Sequence, residues 1–314
     1  MAHISRREFA KTIGAGALYP AAGRAAAGPI PTRRLGNINF QAGIFGIGAQ
    51  YLGDLDGTQA NVDRVIGEAL DNGVNYIDTA PPYNVSEERL GRALKGKRDK
   101  VFLISKVETN AKGDVSYQIH DSLRKLQTDH LDCVHIHNVG REDRYPSLQQ
   151  MLAPDGTLGG LLEAKKQGLI RHVGATCHQR AARAVSVLAT GEIELFMCTV
   201  NFVERQIYKF EEIAIPEARK RNIGVIGMKV LGGPVENGGA RLTSPENYKA
   251  ALRYAWSVPG VAVAIVGVRT PDQLRQALAA ARAFQPLSPA EMTSLMERAK
   301  PIAQQWGPLR GPVA

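Results

Sequence analysis

Short runs of consecutive apolar residues alternate along the chain with longer segments in which apolar residues recur every three or four positions. The short runs predict strands that are buried on both faces, and the longer period predicts amphipathic helices between them. The predicted strands are residues 44–48, 75–78, 101–104, 131–136, 171–175, 195–198, 223–226 and 263–266. The predicted helices are residues 61–70, 87–94, 115–126, 161–166, 181–188, 210–221, 248–256 and 271–281.

This alternation of strands and helices predicts an α/β fold with a parallel sheet. Over about this length it is typical of a closed (β/α)8 TIM barrel, whose active site lies at the carboxyl ends of the strands. An open doubly wound sheet is the alternative, although no GxGxxG motif opens a helix after the first strand. Residues 32–36 and 40–42 predict a hairpin ahead of the barrel. Because no Pro- or Ser-rich linker divides residues 28–314, we expect one domain there.

The first 27 residues have the layout of a twin-arginine export signal. Arg6 and Arg7 are followed by Phe9, Lys11 and a weakly apolar, Gly/Ala-rich stretch that ends in three alanines. This pattern predicts recognition by the twin-arginine export machinery, cleavage after Ala27 and a periplasmic protein. If the signal is not used, we expect the protein in the cytoplasm. No other segment is long and apolar enough to predict a stable membrane span.

The charge and the cysteine positions exclude several classes of ligand and of structural cross-link. The net charge of +9 favours an anionic ligand, but no block of Lys and Arg with interleaved aromatic residues predicts nucleic-acid binding. A phosphate-bearing cofactor requires much less positive charge. Cys133, Cys177 and Cys198 lie far apart and lack CxxC spacing, which argues against a metal centre or a disulfide framework. We expect them to be buried thiols.

Three residues at or near predicted strand ends carry the candidate chemistry. Asp78 ends the strand 75–78, Tyr83 lies on the following loop, and Lys106 follows the strand 101–104. An ammonium beside a tyrosine should lower the tyrosine pKa from about 10 toward the working range, and a carboxylate should orient the ammonium. We therefore expect Asp78 and Lys106 to face each other, with Tyr83 as the acid in proton transfer. Ser86 is expected to cap the next helix.

Two histidines lie at the end of the predicted strand 131–136. His135 is within the strand, and His137 follows it directly. Because side chains alternate along a strand, His135 and His137 should share one side and point into the barrel, with His137 at the rim. There His137 would bind or polarise a substrate oxygen. A zinc site is the competing interpretation, but no third ligand at a suitable spacing is evident.

Residues 33–296 resemble the aldo-keto reductase family. The family's signature around its catalytic Asp and Tyr is similar to GVNYIDTAPPYNVSEERLGRAL, its lysine strand to VFLISKV, and the segment ending in its catalytic His to SLRKLQTDHLDCVHIHNV. Its fifth, seventh and eighth strand regions are similar to LLEAKKQGLIRHVGATCH, RNIGVIGMKVLGG and AIVGVRTPDQLRQAL. The resemblance implies a TIM barrel that binds NADP(H), with NAD(H) as the alternative. It also implies hydride transfer between the nicotinamide and an aldehyde, ketone or sugar.

Carried over by position, the resemblance implies Tyr83 as general acid and base, Lys106 and Asp78 as its tuning pair, and His137 as the residue that orients the carbonyl. The substrate pocket would be formed by the loops after the strands. Its candidate walls are Tyr51, Tyr145 and Phe202.

The implied cofactor positions depart in part from the family pattern. Thr176 and Cys177 stand where the family has the Ser-Asn pair that holds the carboxamide, and Cys177 is a weak replacement for Asn. Arg269 is implied as the partner of a 2′-phosphate. The other implied positions are Met197, Met228, Lys229, Leu231, Gly232 and Gln273.

Two functions therefore remain open. The first is an exported NADP(H)-dependent reductase or dehydrogenase that acts on a small carbonyl or alcohol. The second is a non-catalytic or slow NADP(H)-binding protein, a redox sensor or partner subunit. The intact proton-transfer set favours the first, and the altered carboxamide clamp favours the second.

Overall fold

Ten strands form a hairpin and a closed barrel in the computed structural model, which describes residues 28–233 and 242–314. The predicted export signal lies outside the described residues. The hairpin pairs β1 (Thr32–Leu35) with β2 (Ile38–Gly43) in antiparallel fashion. The barrel strands are β3 (Phe45–Gly48), β4 (Tyr76–Asp78), β5 (Phe102–Val107), β6 (Leu131–Ile136), β7 (Ile170–Cys177), β8 (Leu195–Thr199), β9 (Gly224–Met228) and β10 (Val261–Val266).

The barrel strands are parallel and follow one another in chain order, and β10 closes the ring by pairing with β3. The predicted TIM barrel with an N-terminal hairpin is confirmed. Each barrel strand directs successive side chains to opposite faces. One set packs in a core inside the barrel, and the other packs in a core outside it, beneath the helices. Those that point into the barrel include Tyr76, Phe102, Ile104, Cys133, Leu195, Met197, Ile226 and Met228.

Helices cover the outer face of the barrel and pack on the outward-facing strand residues. They are α1 (Gln59–Asp71), α2 (Ser86–Ala93), α3 (Lys112–Leu126), α4 (Leu148–Leu152), α5 (Thr157–Lys166), α6 (Ala181–Leu188), α7 (Arg205–Tyr208), α8 (Phe210–Lys220), α9 (Pro245–Ser257), α10 (Pro271–Arg282) and α11 (Pro289–Trp306). The alternation of apolar runs along the chain did not predict α11. Its start carries a capping box between Ser288 and Glu291, a signal that could have identified it.

The hairpin closes the end of the barrel at which the strands begin. Leu35, Ile38 and Ala42 join the inner core. The turn residue Gly36 has a φ of +54°, and a Cβ atom there would lie 2.3 Å from the Gly224 nitrogen. Only glycine fits such a turn pressed against β9. With this end closed, the opposite end of the barrel is the one open to ligands.

Ser86 does not cap α2, so that prediction is wrong. Val85 is the N-cap residue, and no side chain caps the helix. The Ser86 hydroxyl instead donates to the Ala49 carbonyl oxygen at 2.9 Å and shares a hydrogen bond with the Thr79 hydroxyl at 2.9 Å. These buried contacts bind the loops after β3 and β4 to the start of α2, and so they position the segment that carries Tyr83.

Cys133, Cys177 and Cys198 are buried free thiols, as predicted. Among the residues that the structure describes, none of the helices combines the length and apolar character that crossing a bilayer requires. The same described residues contain no group of three or more His, Cys, Asp or Glu side chains arranged to hold a metal ion.

Candidate active site

Asp78 and Lys106 form a buried ion pair at the open end of the barrel. Asp78 is the last residue of β4 and Lys106 the fifth of six in β5, and the two strands are neighbours. The Lys106 ammonium donates to both Asp78 carboxylate oxygens, at 2.8 and 2.7 Å, and to the Thr79 carbonyl oxygen at 2.7 Å. Burial lowers the pKa of Lys106, but Asp78 and Tyr83 together outweigh it and raise the pKa. Lys106 is therefore an ammonium at neutral pH.

Tyr83 lies over this ion pair. The Lys106 nitrogen is 4.9 Å from the centre of the Tyr83 ring, and Tyr83 is half-buried on the loop before α2. Burial raises the pKa of Tyr83 above its ordinary value, and the opposing effect of Lys106 is smaller. The predicted net lowering of this pKa is wrong, because desolvation of the phenolate outweighs the adjacent ammonium. Tyr83 is thus a phenol at neutral pH, which suits a proton donor.

His137 lies directly after β6, and its ring faces Tyr83 edge-on with the ring centres 6.3 Å apart. Its Nδ1 contacts the carboxylate of Glu108, which also forms an ion pair with Arg144 at 2.6 Å. Burial lowers the pKa of His137 to about 4, against the opposing effect of Glu108. His137 is therefore neutral at physiological pH. As predicted, His135 also points into the barrel, where its ring fills the space above Gly174.

A cavity of about 250 Å³ opens beside Asp78 and Tyr83. It lies at the carboxyl ends of β3, β4, β8, β9 and β10, because its lining includes the last residues of these strands or residues close to them. Of the residues predicted for cofactor or substrate contacts, the structure places seven in its lining. They are Tyr51, Met197, Met228, Lys229, Leu231, Arg269 and Gln273.

Arg269 connects two sides of this cavity. Its guanidinium lies 4.5 Å from the centre of the Tyr51 ring and forms an ion pair with Asp54 at 2.9 Å. Its backbone nitrogen donates to the Gln273 side-chain oxygen at 2.7 Å. Because the Arg269 side chain is 45% exposed, it is accessible to an anion as well as to Asp54.

Lys229 follows β9 directly and brings a second cation to the cavity wall. Burial lowers its pKa to about 8, and the positive charges of Arg310 and Lys106 act in the same direction. Arg310 is itself paired with Glu204, at 2.6 Å. Within the described ranges, no carboxylate forms an ion pair with Lys229. Glu204 and Asp78 oppose the lowering of the Lys229 pKa from a distance. A cation that faces a cavity without a direct ion-pair partner among the described residues is suited to an anionic ligand.

Thr176 and Cys177 are not among the residues that line the cavity. The Thr176 hydroxyl accepts a hydrogen bond from the Asn138 backbone at 2.8 Å. Cys177 belongs to the core outside the barrel and donates from its Sγ to the Gln179 carbonyl oxygen at 2.8 Å. Burial raises the pKa of this thiol to about 12. Strand alternation thus directs Cys177 away from the barrel interior.

Three other predicted contact residues also lie outside the lining. Gly232 closes a turn by donating to the Lys229 carbonyl oxygen at 2.8 Å. Tyr145 and Phe202 are fully buried in the core outside the barrel. The Phe202 ring packs edge-on against Tyr254 at 6.3 Å. The structure therefore does not bring Tyr145 and Phe202 to the cavity as aromatic walls.

Glu108 and His178 also lie at the site, and neither was predicted from the sequence. Glu108 stands two residues after Lys106, so strand alternation could have placed it on the same side. His178 follows Thr176 and Cys177 at the end of β7, and its ring centre is 6.1 Å from that of His137. Burial holds the pKa of His178 well below its ordinary value, with Lys229 acting in the same direction.

The fold and the site together define a (β/α)8 barrel that carries an Asp-Tyr-Lys-His set at the carboxyl ends of its strands. The model of the aldo/keto reductase family matches residues 44–250. The chain belongs to this family.

Individual relatives agree with this assignment. An L-galactose dehydrogenase from Arabidopsis thaliana is 32% identical over 160 residues, which are 47% of this chain and 48% of the relative. The chain spans about half the length of the curated relatives it matches.

Solved structures match over a larger part of the chain. A structure described as an aldo-keto reductase from Pseudomonas aeruginosa has a TM-score of 0.68 and 26% identity, and the match covers 82% of this chain and 98% of that chain. An aldo/keto reductase from Klebsiella pneumoniae, in complex with NADP and acetate, has a TM-score of 0.67 at 23% identity, covering 86% of this chain and 95% of that one. At that identity the Klebsiella likeness supports the fold alone.

Proposed function

We propose that the protein is an NADP(H)-dependent oxidoreductase that interconverts a carbonyl group and an alcohol on a small substrate, an aldehyde, ketone or sugar. NAD(H) is the alternative cofactor. The observation that carries the proposal is the buried Asp78–Lys106 pair beneath Tyr83 at the edge of the cavity. Family membership and the L-galactose dehydrogenase relative support it.

The residues that line the cavity suit parts of a dinucleotide, namely a nicotinamide ring and phosphates. Met197 and Met228 offer an apolar, polarisable surface at the strand ends for an aromatic ring. Lys229 and Arg269 offer two cations for phosphates, and Arg269 is our candidate for the 2′-phosphate of NADP(H). When bound, the nicotinamide supplies the hydride to the carbonyl carbon or accepts it from the alcohol.

Tyr83 would then handle the proton. As a phenol at neutral pH, it donates a proton to the oxygen that becomes the alcohol. The phenolate left behind is stabilised by the Lys106 ammonium, which Asp78 and the Thr79 carbonyl hold in place. Because these groups are already oriented before the reaction, stabilising the new charge requires little reorganisation. In alcohol oxidation the same groups act in reverse.

One observation favours the second candidate, a nucleotide-binding protein that turns over slowly or not at all. Cys177 occupies the position of the family's carboxamide-binding Asn, yet it faces the outer core. A nicotinamide held less firmly there would react more slowly, because hydride transfer needs close alignment.

A cofactor titration combined with a turnover assay distinguishes the two candidate functions. The chain from Gly28 onward is titrated with NADPH and with NADH by fluorescence, and NADPH oxidation is followed with a panel of aldehydes, ketones and sugars. We expect saturable NADPH binding that Arg269→Ala weakens, together with steady turnover. Tight NADPH binding without turnover would favour the second candidate, and binding of neither nucleotide would contradict both.

We also propose that the protein is exported by the twin-arginine route, on the pattern of Arg6, Arg7, Phe9 and Lys11. Fractionation of cells that express a C-terminally tagged chain tests this. We expect the shortened chain in the periplasm, and Arg6→Lys/Arg7→Lys should retain it in the cytoplasm. If the wild-type chain and the Arg6→Lys/Arg7→Lys variant are both found in the cytoplasm, in equal amounts and at full length, the protein is not exported by this route.

A further inference from the structure

A buried ion pair between Arg310 and Glu204 lies next to the loop that carries Lys229. Glu204 is on the loop after β8, and Arg310 is on the segment after α11, residues 307–314. Nη2 of Arg310 donates to Oε2 of Glu204 at 2.7 Å, and Nε of Arg310 lies 2.6 Å from Oε1. The two side chains are only 4% and 1% exposed. The Glu204 carboxylate therefore depends on Arg310, and not on water, to compensate its charge.

Hydrogen bonds connect this pair to the loop after β9. Nη2 of Arg310 also donates to the Gly232 carbonyl oxygen at 3.1 Å. The Asn201 side-chain nitrogen donates to Oε2 of Glu204 at 2.6 Å and to the Lys229 carbonyl oxygen at 3.1 Å. A single amide group thus separates the Glu204 carboxylate from the Lys229 backbone.

Tyr208 fixes the position of the Arg310 backbone. The backbone nitrogen of Arg310 donates to the Tyr208 hydroxyl at 2.7 Å, and this hydroxyl donates to the Gly311 carbonyl oxygen at 3.2 Å. The Tyr208 ring is buried in the core outside the barrel. The guanidinium is therefore held beside Glu204 by a part of the chain that the core anchors.

Two carboxylates act on the Lys229 ammonium, and each is held by another cation. Burial lowers the pKa of Lys229 to about 8, and Arg310 and Lys106 act in the same direction, against Glu204 and Asp78. Lys106 pairs with Asp78, and Arg310 pairs with Glu204. Lys229 is thus left without an ion-pair partner among the residues that the structure describes.

We propose that Arg310 is a positioning residue that holds the Glu204 carboxylate away from Lys229, so that the Lys229 ammonium stays available to an anionic group of the cofactor. The inference rests on the proposed function. Without Arg310, Glu204 would be a buried carboxylate that lacks its counter-ion, and the nearby Lys229 would replace it. A phosphate would then have to displace a carboxylate before it could bind Lys229. His178, after β7, adds no charge here, because its imidazole is held neutral by a pKa well below the ordinary value.

The first test measures the pKa of Lys229 and needs no cofactor. The full chain, labelled with lysine that carries 13C at Cε, is titrated by NMR, and Lys229→Met identifies the Lys229 signal. We expect a pKa of about 8 in the wild type. Arg310→Met should raise this pKa to about 9 or above, because Glu204 then pairs with the ammonium.

A second variant carries the same test if Arg310→Met does not fold. Glu204→Gln should lower the pKa of Lys229, since Arg310 then acts on the ammonium without an opposing carboxylate. A pKa of Lys229 that is the same in the wild type and in the variants that fold would overturn the proposal.

The second test measures the Kd for NADPH at pH 7 by fluorescence titration. We expect Arg310→Met to raise the Kd about fivefold, the worth of one competing ion pair. Arg310→Met/Glu204→Gln should restore the wild-type Kd, because no carboxylate is left there to pair with Lys229. Arg310→Lys keeps a cation beside Glu204 and should also stay close to the wild type. The matched control is Arg221→Met, which removes a guanidinium from an exposed ion pair with Glu217 and should change nothing.

The double variant separates this role from a purely structural one. If Arg310 only tied the segment after α11 to the barrel, removing Glu204 as well would loosen that segment further and the Kd would stay raised. That result, or an unchanged Kd in Arg310→Met, would refute the proposal. If NADPH binds to none of these proteins while the pKa of Lys229 responds as expected, the proposed function fails and the effect of Arg310 on Lys229 stands.

Discussion

Breaking the Asp78–Lys106 pair should destabilise the whole barrel. Replacing Lys106 with methionine keeps the chain length and apolar stem but removes the ammonium. It leaves the Asp78 carboxylate and the Thr79 carbonyl oxygen without their donor. The side chains of Lys106 and Asp78 are only 1% and 3% exposed, so water can replace the lost partner only in part, from the side of the cavity.

The size of the effect follows from this burial. An exposed ion pair contributes about 0–1 kcal/mol, whereas removing one partner of a buried pair costs about 3–5 kcal/mol. We expect Lys106→Met to lie in the second range at pH 8. The penalty should be smaller at pH 5, because an unpaired buried carboxyl has a raised pKa and takes up a proton more easily.

A double-mutant cycle measures the coupling. The free energy of unfolding in urea is determined for the wild type, Lys106→Met, Asp78→Asn and the double variant. The double variant should be more stable than the sum of the single effects predicts, by about 2 kcal/mol, since it contains no unpaired charge. Additivity within about 0.5 kcal/mol would refute the reasoning, because it would mean that the two side chains do not interact.

Three further predictions concern cofactor affinity and acid stability. Lys229 has a pKa of about 8, so the Kd for NADPH should rise as the pH increases through 8 and the ammonium is lost; a titration series should show this rise in the wild type and not in Lys229→Met. Asp54→Asn frees Arg269 for a phosphate, so it should strengthen NADPH binding about two- to fivefold, and an unchanged Kd would contradict the assignment of Arg269. Burial raises the pKa of Glu194, but hydrogen bonds from His172 and Lys165 outweigh it and lower the pKa from 4.5 to about 2. Glu194 therefore contributes stability above about pH 4.5 that is lost as the pH falls toward 2; urea unfolding should show Glu194→Gln less stable than the wild type at pH 6, with a gap that closes near pH 2.

The parts of the fold that the sequence predicted follow from strong local patterns. Buried parallel strands appear as continuous apolar runs, and their regular alternation with helices leaves few arrangements other than a barrel. The same reasoning predicted that Asp78 and Lys106 would meet, because the carboxyl ends of neighbouring strands lie side by side. The helix α11 was missed because it follows the last repeat of this alternation.

The details that the sequence did not predict depend on tertiary contacts. Ser86 has the residue type of a helix cap, but its hydroxyl has buried partners in two other loops. Tyr145 and Phe202 lie on loops, where no periodicity indicates whether a side chain turns toward the cavity or the core. Their burial results from packing against residues distant in the sequence.

The electrostatics of the site were the least predictable. An adjacent lysine lowers the pKa of a tyrosine, but how far burial opposes it depends on the depth of the ring. For Tyr83 burial prevails. In contrast, the outward direction of Cys177 follows from strand alternation, and it could have been deduced once Thr176 was placed inside the barrel.

If Tyr83 donates the proton at a nicotinamide-binding site, as proposed, Tyr83→Phe should abolish most of the turnover without loss of the cofactor. The variant removes one hydroxyl, and Tyr117→Phe, at a position on α3 that is 74% exposed, is the matched control. NADPH affinity and kcat on a carbonyl substrate that the wild type reduces are measured for all three proteins. We expect Tyr83→Phe to lower kcat by about 10²–10⁴-fold, with NADPH affinity unchanged and the control equal to wild type. Undiminished turnover by Tyr83→Phe would mean that Tyr83 is not the proton donor.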